Sequence, residues 1–321
     1  MTTAQAPIAS PFGYRSTALE VIAGIDLTGQ TALVTGGYSG LGTEVVRALT
    51  GAGAHVIIGA RRPDAAASDL AGIGGTITIL PLDLSDPALI DGFAEAVAAV
   101  TDRIHIQINN AAVMANPLAR DPRGYESQFA TNHLGHFQLT ARLWPLLVKA
   151  GGARVVSVSS VGHRLGGLDL ADVNFDHRAY DKWLAYGQAK SANALFALEL
   201  DRLGAASNVR AFGVHPGGII TPLQRHLTMA EQIAMGWIDA EGNINERFKS
   251  TEEGAATSVW CAVSPLLAGQ GGVYCEDCNV GAMADADTPR GSGVSPHIRD
   301  EALAKALWAK SEELTGVAFR P

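Results

Sequence analysis

Cysteine is scarce in this chain of 321 residues, which contains only Cys261, Cys275 and Cys278. Three thiols are too few for a disulfide-based scaffold. The sequence CEDC at 275–278 has no second pair nearby that would complete a zinc site. We therefore predict no metal site and interpret Cys275 and Cys278 as thiols packed near the end of a strand. A metal or redox role for this pair is the alternative.

Long apolar runs and an excess of positive charge are also missing. No apolar run reaches the ~18 residues that a membrane-spanning helix needs, and the N-terminus has no basic region followed by an apolar stretch. The net charge is −8 and the pI is about 5.6, so the surface does not attract nucleic acid or anionic lipid in bulk. These absences predict a soluble cytoplasmic protein without a nucleic-acid partner or a membrane span.

The overall composition is that of a folded chain with a large core. Hydrophobic residues make up 47% of the chain and charged residues only 17%, which argues against extensive disorder. The length exceeds one average domain, but α/β domains often reach this size as one unit. We predict a loop-rich lead-in over residues 1–27 and a single domain over residues 28–321.

Short apolar segments typical of strands alternate with helical patterns along most of the chain. The strand-type segments are 31–36, 55–60, 76–82, 104–110, 153–160 and 208–217, with 271–276 as a further candidate. The helical patterns are 40–51, 87–100, 125–150, 183–204, 252–264 and 299–316. This alternation predicts a doubly wound, mostly parallel Rossmann-type sheet of about seven strands, which binds ligands beyond the carboxyl ends of its strands.

A glycine-rich stretch, TGGYSGLG at 35–42, follows the first strand and opens the first helix. Gly36 permits a tight turn, while Gly40 and Gly42 allow the backbone to approach a diphosphate and the helix to pack on the strand. The free N–H groups of a helix N-terminus also attract phosphate. The position of the stretch predicts a dinucleotide site. A plain strand-to-helix turn is the alternative, because 36 glycines make chance matches frequent.

The end of the second strand indicates which dinucleotide binds. Many dinucleotide folds place an acid here to bind the adenosine ribose hydroxyls. This chain has GARRP at 59–63, and guanidinium groups bind phosphate well. We therefore predict that Arg61 and Arg62 bind a 2′-phosphate and that NADP(H) is preferred over NAD(H). The alternative is that both arginines are solvated surface charges.

The turns after the third and fourth strands supply further predicted cofactor contacts. LDLSD at 82–86 places Asp83 and Leu84 beside the adenine, although Asp83 could instead cap the next helix. NNAA at 109–112 places Asn110 and Ala111 where the backbone must pass the cofactor. A tight buried turn would explain NNAA equally well.

Seven motifs occur in a fixed order. They are TGGYSGLG, LDLSD, NNAA, TNHLGHF (131–137), VVSVSS (155–160), YGQAK (186–190) and VHPGGIIT (214–221). Over about residues 28–280 they resemble the short-chain dehydrogenase/reductase family. TNHLGHF, VYCEDCN and the insertion before YGQAK resemble its retinol-dehydrogenase-like branch. The resemblance implies further cofactor contacts from Ser39, Leu41, Pro216, Gly217, Ile219 and Thr221. It also implies a homodimer or homotetramer that assembles through the helices at 125–150 and 183–204.

The YGQAK motif carries the predicted chemistry. Tyr186 and Lys190 stand at i and i+4, so they share one face of a helix. A free tyrosine has a pKa of about 10, but a cation about 4 Å away contributes roughly 4 kcal/mol, or at most about three pKa units. We therefore predict that Lys190 lowers the pKa of Tyr186, which exchanges a proton with the substrate oxygen. An ordinary pair on a helix surface is the alternative.

The family resemblance assigns three further roles. Lys190 also binds the cofactor ribose, and Ser160 binds the substrate oxygen while Ser159 is structural. Asn132 holds a water that links Lys190 to solvent, although an asparagine satisfying a kinked helix is an alternative interpretation. We interpret His136 and its neighbour His133 as core or surface residues rather than ligands.

These observations predict an NADP(H)-dependent oxidoreductase that transfers a hydride between nicotinamide and a carbonyl or alcohol. The segments 161–185, 222–250 and 281–298 are the predicted substrate loops. Their apolar residues favour a hydrophobic substrate, and these are Leu165, Leu168, Trp183, Leu223, Leu227, Met229, Met235 and Trp237. The alternatives are a C=C reductase or epimerase on the same fold, and a protein that senses NADP(H) without turnover.

Overall fold

A single eight-stranded sheet forms the centre of the protein. The computed structural model describes residues 3–321 and gives the strand order β3-β2-β1-β4-β5-β6-β7-β8. The strands are β1 (Thr31–Thr35), β2 (His55–Ala60), β3 (Thr76–Pro81), β4 (Ile106–Asn109), β5 (Ala153–Val158), β6 (Val209–His215), β7 (Tyr274–Glu276) and β8 (Asn279–Val280). Only the β7–β8 pairing is antiparallel among the ladders of these strands. The predicted doubly wound, mostly parallel fold is confirmed. The short strand β8 is the one strand that was not predicted.

Helices cover both faces of the sheet. They are α1 (Ala18–Ile22), α2 (Leu41–Gly51), α3 (Pro63–Asp69), α4 (Pro87–Val100), α5 (Ser127–Phe129), α6 (Gly135–Lys149), α7 (Lys182–Gly204), α8 (Met229–Ala234), α9 (Thr251–Val263) and α10 (Glu301–Thr315). The predicted continuous helix at 125–150 is interrupted by a π-helical turn over Ala130–Leu134. Periodicity did not reveal this turn, because one extra residue per turn barely shifts an apolar pattern.

The central strands, such as β1, read as apolar runs because both faces of the sheet are buried there, whereas the edge strand β3 has no buried residue. In β1, Ala32 and Val34 belong to the core cluster that includes residues of α2 and α9, whereas Leu33 belongs to the cluster that includes residues of α4 and α6. All three side chains are fully buried. Successive side chains of a strand therefore fill opposite layers, as the alternation of a pleated strand requires.

The order of the strands fixes where a ligand can bind. β1 pairs with β2 on one side and with β4 on the other, so the chain winds in opposite directions from this point. Such a switch point leaves a crevice beyond the carboxyl ends of the strands. Thr35 and Asn109 end β1 and β4 at this crevice, and the glycine-rich turn starts there.

The C-terminal helix covers α6 and α7. Every residue of α7 from Ala185 to Asp201 is buried. Trp308 of α10 stacks on Phe196 of α7 at 5.8 Å and meets Phe137 of α6 edge-on at 5.1 Å between ring centroids. These contacts make α10 part of the core rather than an appended surface helix.

The CEDC sequence forms a hairpin. Cys275 lies in β7, and Asp277 and Cys278 form the turn into β8 with φ of 51° and 55°. Both thiols are buried and free, as is Cys261 of α9, which agrees with the interpretation of packed thiols. Within residues 3–321, no three His, Cys, Asp or Glu side chains are grouped as a metal site. Nor does any helix in this part of the chain combine the length and apolar character needed to cross a membrane.

Candidate active site

A cleft of about 2140 Å³ lies along the carboxyl edge of the sheet. The structure brings nearly all predicted site residues to it. The lining includes Gly36, Ser39, Gly40, Leu41, Arg61, Arg62, Asp83, Leu84, Asn110, Ala111, Ser160, Tyr186, Lys190, Pro216, Gly217, Ile219 and Thr221. Gly42 and Asn132 are not among the lining residues.

The glycine-rich turn has no room for side chains. A Cβ on Gly42 would lie 2.1 Å from the carbonyl oxygen of Gly36 and 2.9 Å from Nδ2 of Asn110. That Nδ2 donates to the carbonyl oxygens of Thr35 at 3.0 Å and Gly36 at 3.2 Å, which holds the turn against the end of β4. No side chain caps the N-terminus of α2. The residue before this helix is Gly40, which has φ of 54°. This turn and helix end therefore fit a cofactor diphosphate.

Two arginines stand at the rim of the cleft beyond β2. Arg61 and Arg62 are both exposed, and neither forms a salt bridge within residues 3–321. Their guanidinium groups are therefore available to a phosphate. The end of β2 carries no acid that would compete for the adenosine ribose.

The LDLSD turn approaches the cleft through Asp83. Its Oδ1 accepts hydrogen bonds from the backbone N of Ser85 at 2.9 Å and from its hydroxyl at 2.7 Å. Asp86, and not Asp83, caps α4 by accepting from the backbone N of Ala88 at 2.9 Å. Asp83 therefore lines the cleft and does not cap α4, and its contact with the adenine stays a prediction.

Tyr186, Lys190 and Ser160 come together where α7 passes the end of β5. The Lys190 Nζ lies 5.7 Å from the centroid of the Tyr186 ring and donates to the carbonyl oxygen of Val158 at 2.9 Å. A Cβ on Gly162 would lie 2.8 Å from Cε1 of Tyr186 and 3.3 Å from Oγ of Ser160. The absence of a side chain at Gly162 thus lets the ring and the serine hydroxyl approach one another.

Burial dominates the electrostatics of this group. It raises the pKa of Tyr186 to about 12, with the Ser160 hydroxyl acting in the opposite direction, and it lowers the pKa of Lys190 to about 7. The expected lowering of the tyrosine pKa by Lys190 is absent from these shifts. The ammonium is bonded to Val158 instead, and both groups have lost their water. In this state the phenol keeps its proton at neutral pH and is equipped to donate it.

Ser159 and Asn132 have structural contacts. Both serines line the cleft, but the Ser159 hydroxyl donates to the carbonyl oxygen of Lys190 at 2.6 Å and is therefore already bonded within the protein. Asn132 lies in the π-helical turn, and its side-chain amide exchanges two hydrogen bonds of 2.9 Å with the backbone of Val113. The backbone carbonyl oxygen of Asn132 accepts from Nδ1 of His136 at 2.9 Å. These contacts agree with the kinked-helix interpretation, and the water relay stays a prediction.

His136 is a site contact that the sequence did not reveal. Burial lowers its pKa to about 4, so its ring is neutral at physiological pH. Its Nε2 lies 2.9 Å from the Thr35 hydroxyl, whose oxygen accepts from the backbone N of Asn110 and of Ala111 at 3.0 Å each. His136 therefore connects the π-helical turn with the backbone that borders the cofactor cleft. The sequence did not reveal this role, because His136 stands at the helical spacing of an ordinary core residue.

An aromatic ladder extends from Tyr186 along one wall of the cleft. The ring centroids of Tyr186 and Trp183 are 6.4 Å apart, those of Trp183 and Trp237 5.9 Å, and those of Trp237 and Phe248 5.9 Å. Five of the eight predicted apolar residues line the cleft, namely Leu165, Trp183, Leu223, Met235 and Trp237. The other three do not line it, because Leu168 and Leu227 pack in core clusters and Met229 is 52% exposed.

The N-terminal lead-in also reaches the cleft, which no local pattern had indicated. Tyr14 and Arg15 line it together with Arg247 and Phe248. The Arg15 guanidinium donates to the carbonyl oxygen of Phe248 at 2.9 Å and pairs with Glu253 at 3.0 Å. The Tyr14 hydroxyl donates to the carbonyl oxygen of Arg247. These contacts attach the lead-in to the predicted substrate loop.

Comparison with known proteins gives consistent results. A family model described as short chain dehydrogenase matches residues 30–232. A "Probable oxidoreductase" of Streptomyces antibioticus is 44% identical over 292 residues, which cover 88% of this chain and 97% of the relative. Human retinol dehydrogenase 12 is 35% identical over 300 residues, covering 92% of this chain and 89% of the relative. Mouse polyprenol dehydrogenase is 37% identical over 302 residues, covering 90% and 84%.

Solved structures share the architecture. An uncharacterized protein from Mycobacterium Paratuberculosis superposes with a TM-score of 0.73 and 32% identity, covering 93% of this chain and 98% of that chain. A Pseudomonas aeruginosa RhlG/NADP active-site complex superposes with a TM-score of 0.61 and 25% identity, covering 78% and 95%. The similarity therefore extends over most of the chain.

Proposed function

Because this chain belongs to the short chain dehydrogenase family, we propose that it is an NADP(H)-dependent oxidoreductase that transfers a hydride between nicotinamide and a carbonyl or alcohol substrate. The observation that carries the proposal is the meeting of Tyr186, Lys190 and Ser160 in a cleft whose other end has an uncapped helix N-terminus. Proton donor, oxygen-binding hydroxyl and diphosphate site thus share one cavity.

The cofactor preference rests on the rim of the cleft. Arg61 and Arg62 stand beyond β2 without a salt bridge to any residue of 3–321, at a place where an acid would favour NAD(H). A guanidinium fork binds a phosphate with two parallel hydrogen bonds. One similar structure, the RhlG complex, contains NADP, which supports the same preference.

Each of the three side chains has a separate role in the proposed carbonyl reduction. Ser160 donates a hydrogen bond to the carbonyl oxygen, which stabilises the negative charge that develops there. Tyr186, held protonated by burial, gives its phenol proton to that oxygen. Lys190 places either a positive charge or an N–H donor beside the ring of Tyr186. When bound, the reduced nicotinamide supplies the hydride to the carbonyl carbon.

The aromatic ladder favours a hydrophobic substrate. Trp183, Trp237 and Phe248 continue from Tyr186 as an apolar wall, on which an extended apolar molecule can lie. Two of the relatives are named for the alcohols retinol and polyprenol, and this chain resembles them at 35% and 37% identity. A hydrophobic aldehyde or ketone is the substrate class that we propose.

The proposal is tested by NADPH oxidation with a panel of apolar and polar aldehydes and ketones, with enones and alcohols as further members. We expect turnover with apolar carbonyl compounds and a product that is the corresponding alcohol. Reduction of enones alone would indicate a C=C reductase instead. NADPH binding without turnover of any member would indicate a sensing protein.

Trp183→Ala is expected to raise the KM for long apolar aldehydes about 10-fold. The loss of roughly 50 Å² of apolar contact corresponds to about 1.3 kcal/mol, while kcat for a short aldehyde stays within about 3-fold of wild type. Steady-state kinetics with aldehydes of increasing chain length measures the effect. Met229→Ala is the matched control, because Met229 is exposed outside the cleft. An equal change for short and long aldehydes would contradict a role in binding the apolar tail.

We also propose that the chain acts as a monomer, and the homodimer or homotetramer that the family resemblance implies is the alternative. The packing of Trp308 against Phe137 and Phe196 supports this proposal, since α10 covers parts of α6 and α7, the helices through which the family resemblance implies assembly. The outer side of α10 carries charged residues, with Lys305 and Glu301 4.0 Å apart. Such a solvated face does not favour association.

Sedimentation of the full chain is expected to give one species of 33.4 kDa at micromolar concentration, without concentration dependence. Trp308→Ala should begin to self-associate, because it uncovers aromatic rings of α6 and α7. Ala306→Arg, on the exposed side of α10, should stay monomeric and is the matched control. A stable species of twice the monomer mass in the wild type would overturn the monomer proposal.

A further inference from the structure

Lys249 is a lysine whose side chain is almost completely buried. Only 1% of the side chain is exposed, and its Nζ lies 2.6 Å from Oδ1 of Asp277. The same Nζ lies 4.5 Å from the centroid of the Tyr14 ring. A buried ammonium persists only when it is paired, so the carboxylate and the ring face hold this one in place. None of these three residues has a role in the proposed chemistry.

The stem of Lys249 packs on the turn that follows β6. Its backbone N donates to the carbonyl oxygen of Gly218 at 2.8 Å. A Cβ on Gly217 would lie 2.7 Å from Cδ and 2.9 Å from Cε of Lys249, and Gly217 has φ of 103°. The lysine stem therefore occupies the space behind Gly217. Any shift of the lysine must shift the turn, whose other side lines the cleft.

Asp277 adopts an uncommon backbone conformation. It and Cys278 have φ of 51° and 55° in the β7–β8 turn, where asparagine and glycine are usually preferred. The backbone N of Cys278 donates to the Thr257 hydroxyl at 3.1 Å, which fixes the turn on α9. The turn is thus held so that the Asp277 carboxylate meets the buried ammonium at the wall of the cleft.

The third partner, Tyr14, comes from the lead-in. Its ring covers Lys249, and its hydroxyl donates to the carbonyl oxygen of Arg247. The neighbouring Arg15 donates to the carbonyl oxygen of Phe248 at 2.9 Å. The segment that precedes Lys249 is therefore held from outside by the lead-in.

We propose that Tyr14, Lys249 and Asp277 form a clasp that positions the turn at Pro216–Gly218 for cofactor binding. Lys249 is a positioning residue, because it contacts the turn from behind and acts on the cofactor only through it. The lead-in becomes part of the cofactor site by the same contacts. The proposal rests on the proposed function only in that the turn borders a bound NADP(H).

The test measures NADPH binding directly, by nucleotide fluorescence, at a temperature well below the unfolding midpoint of each variant. Lys249→Met keeps the length of the side chain and removes its charge. We expect its Kd for NADPH to rise about 10-fold, the scale of one hydrogen bond to a charged group, with partial recovery in Lys249→Arg. At saturating NADPH, kcat should change less than Kd does. Lys305→Met, at an exposed site on α10, is the matched control.

Two milder variants keep the proposal testable if Lys249→Met does not fold. Asp277→Asn removes the charge of the partner, and Tyr14→Leu removes the ring at a position that is 40% exposed. Each should raise the Kd for NADPH about 3-fold or more. Lower melting temperatures with an unchanged Kd in all clasp variants would overturn the proposal. Failure of the wild type itself to bind NADPH would instead overturn the proposed function.

Discussion

Tyr186→Phe is expected to lower kcat/KM for carbonyl reduction by about 10²- to 10⁴-fold, the range typical for loss of a positioned general acid. The phenylalanine ring fills the same buried space beside Gly162, so the fold and the cleft are retained. Only the hydroxyl that supplies the proton is missing. The Kd for NADPH should therefore stay within about 3-fold of the wild type.

Tyr180→Phe is the matched control for this experiment. Tyr180 lies six positions before Tyr186 in the sequence, but its hydroxyl donates to the carbonyl oxygen of Asn116 at 3.0 Å and it does not line the cleft. Initial rates of NADPH oxidation and a fluorescence titration of NADPH measure both variants. Activity within 10-fold of the wild type in Tyr186→Phe would remove this residue from the proton transfer.

Arg61→Asp is expected to raise the Kd for NADPH by about 100-fold and to change that for NADH by less than about 3-fold. Hydrogen bonds to a charged group contribute about 1.5–3 kcal/mol, and each 1.4 kcal/mol is tenfold in affinity. The introduced carboxylate adds repulsion toward the 2′-phosphate. The same carboxylate can accept hydrogen bonds from the ribose hydroxyls of NADH, so the affinity for NADH should be retained. The variant should therefore lose its preference for NADPH rather than its ability to bind dinucleotides.

Arg103→Asp makes the same change in net charge at an exposed site outside the cleft and serves as the matched control. It should leave both dissociation constants unchanged, because exposed charges far from the ligand are screened by salt. An equal loss of affinity for NADPH and NADH in Arg61→Asp would mean that Arg61 supports the fold of the rim rather than a phosphate.

The fold was predictable from the sequence because its central strands are buried on both faces. The run around Leu33 is apolar at successive positions for that reason, and the motifs that follow β1, β4, β5 and β6 all reach one edge of the sheet. The cleft therefore gathers residues that are distant in sequence, and nearly all the site residues predicted from the motifs line it. The glycine at position 42 was predictable from the motif, and the structure gives the reason: a Cβ at this position would have no room beside the carbonyl oxygen of Gly36.

The features that the sequence did not reveal depend on contacts between distant segments. Tyr14 and Lys249 meet because the lead-in passes outside the loop after β6, and no spacing in the chain encodes that meeting. The π-helical turn at Asn132 is similarly fixed by Val113, which belongs to another segment. Periodicity reports only which face of an element is apolar.

The pKa of Tyr186 shows a second limit of sequence reasoning. The spacing of Tyr186 and Lys190 predicts an attraction between them, but not how much water each side chain loses. In the folded protein, desolvation raises the tyrosine pKa to about 12 and lowers the lysine pKa to about 7. A buried, protonated phenol is the form of Tyr186 that the proposed carbonyl reduction requires.

The central claim is that the cleft joins hydride transfer to proton donation at a carbonyl group. Its most direct test is reduction of an apolar aldehyde with NADPH deuterated at the transferable position of the nicotinamide, followed by mass spectrometry of the product. We predict an alcohol that carries the deuterium on the former carbonyl carbon, and loss of this product in Tyr186→Phe. An unlabelled alcohol, or label found at a carbon other than the carbonyl carbon, would contradict the account.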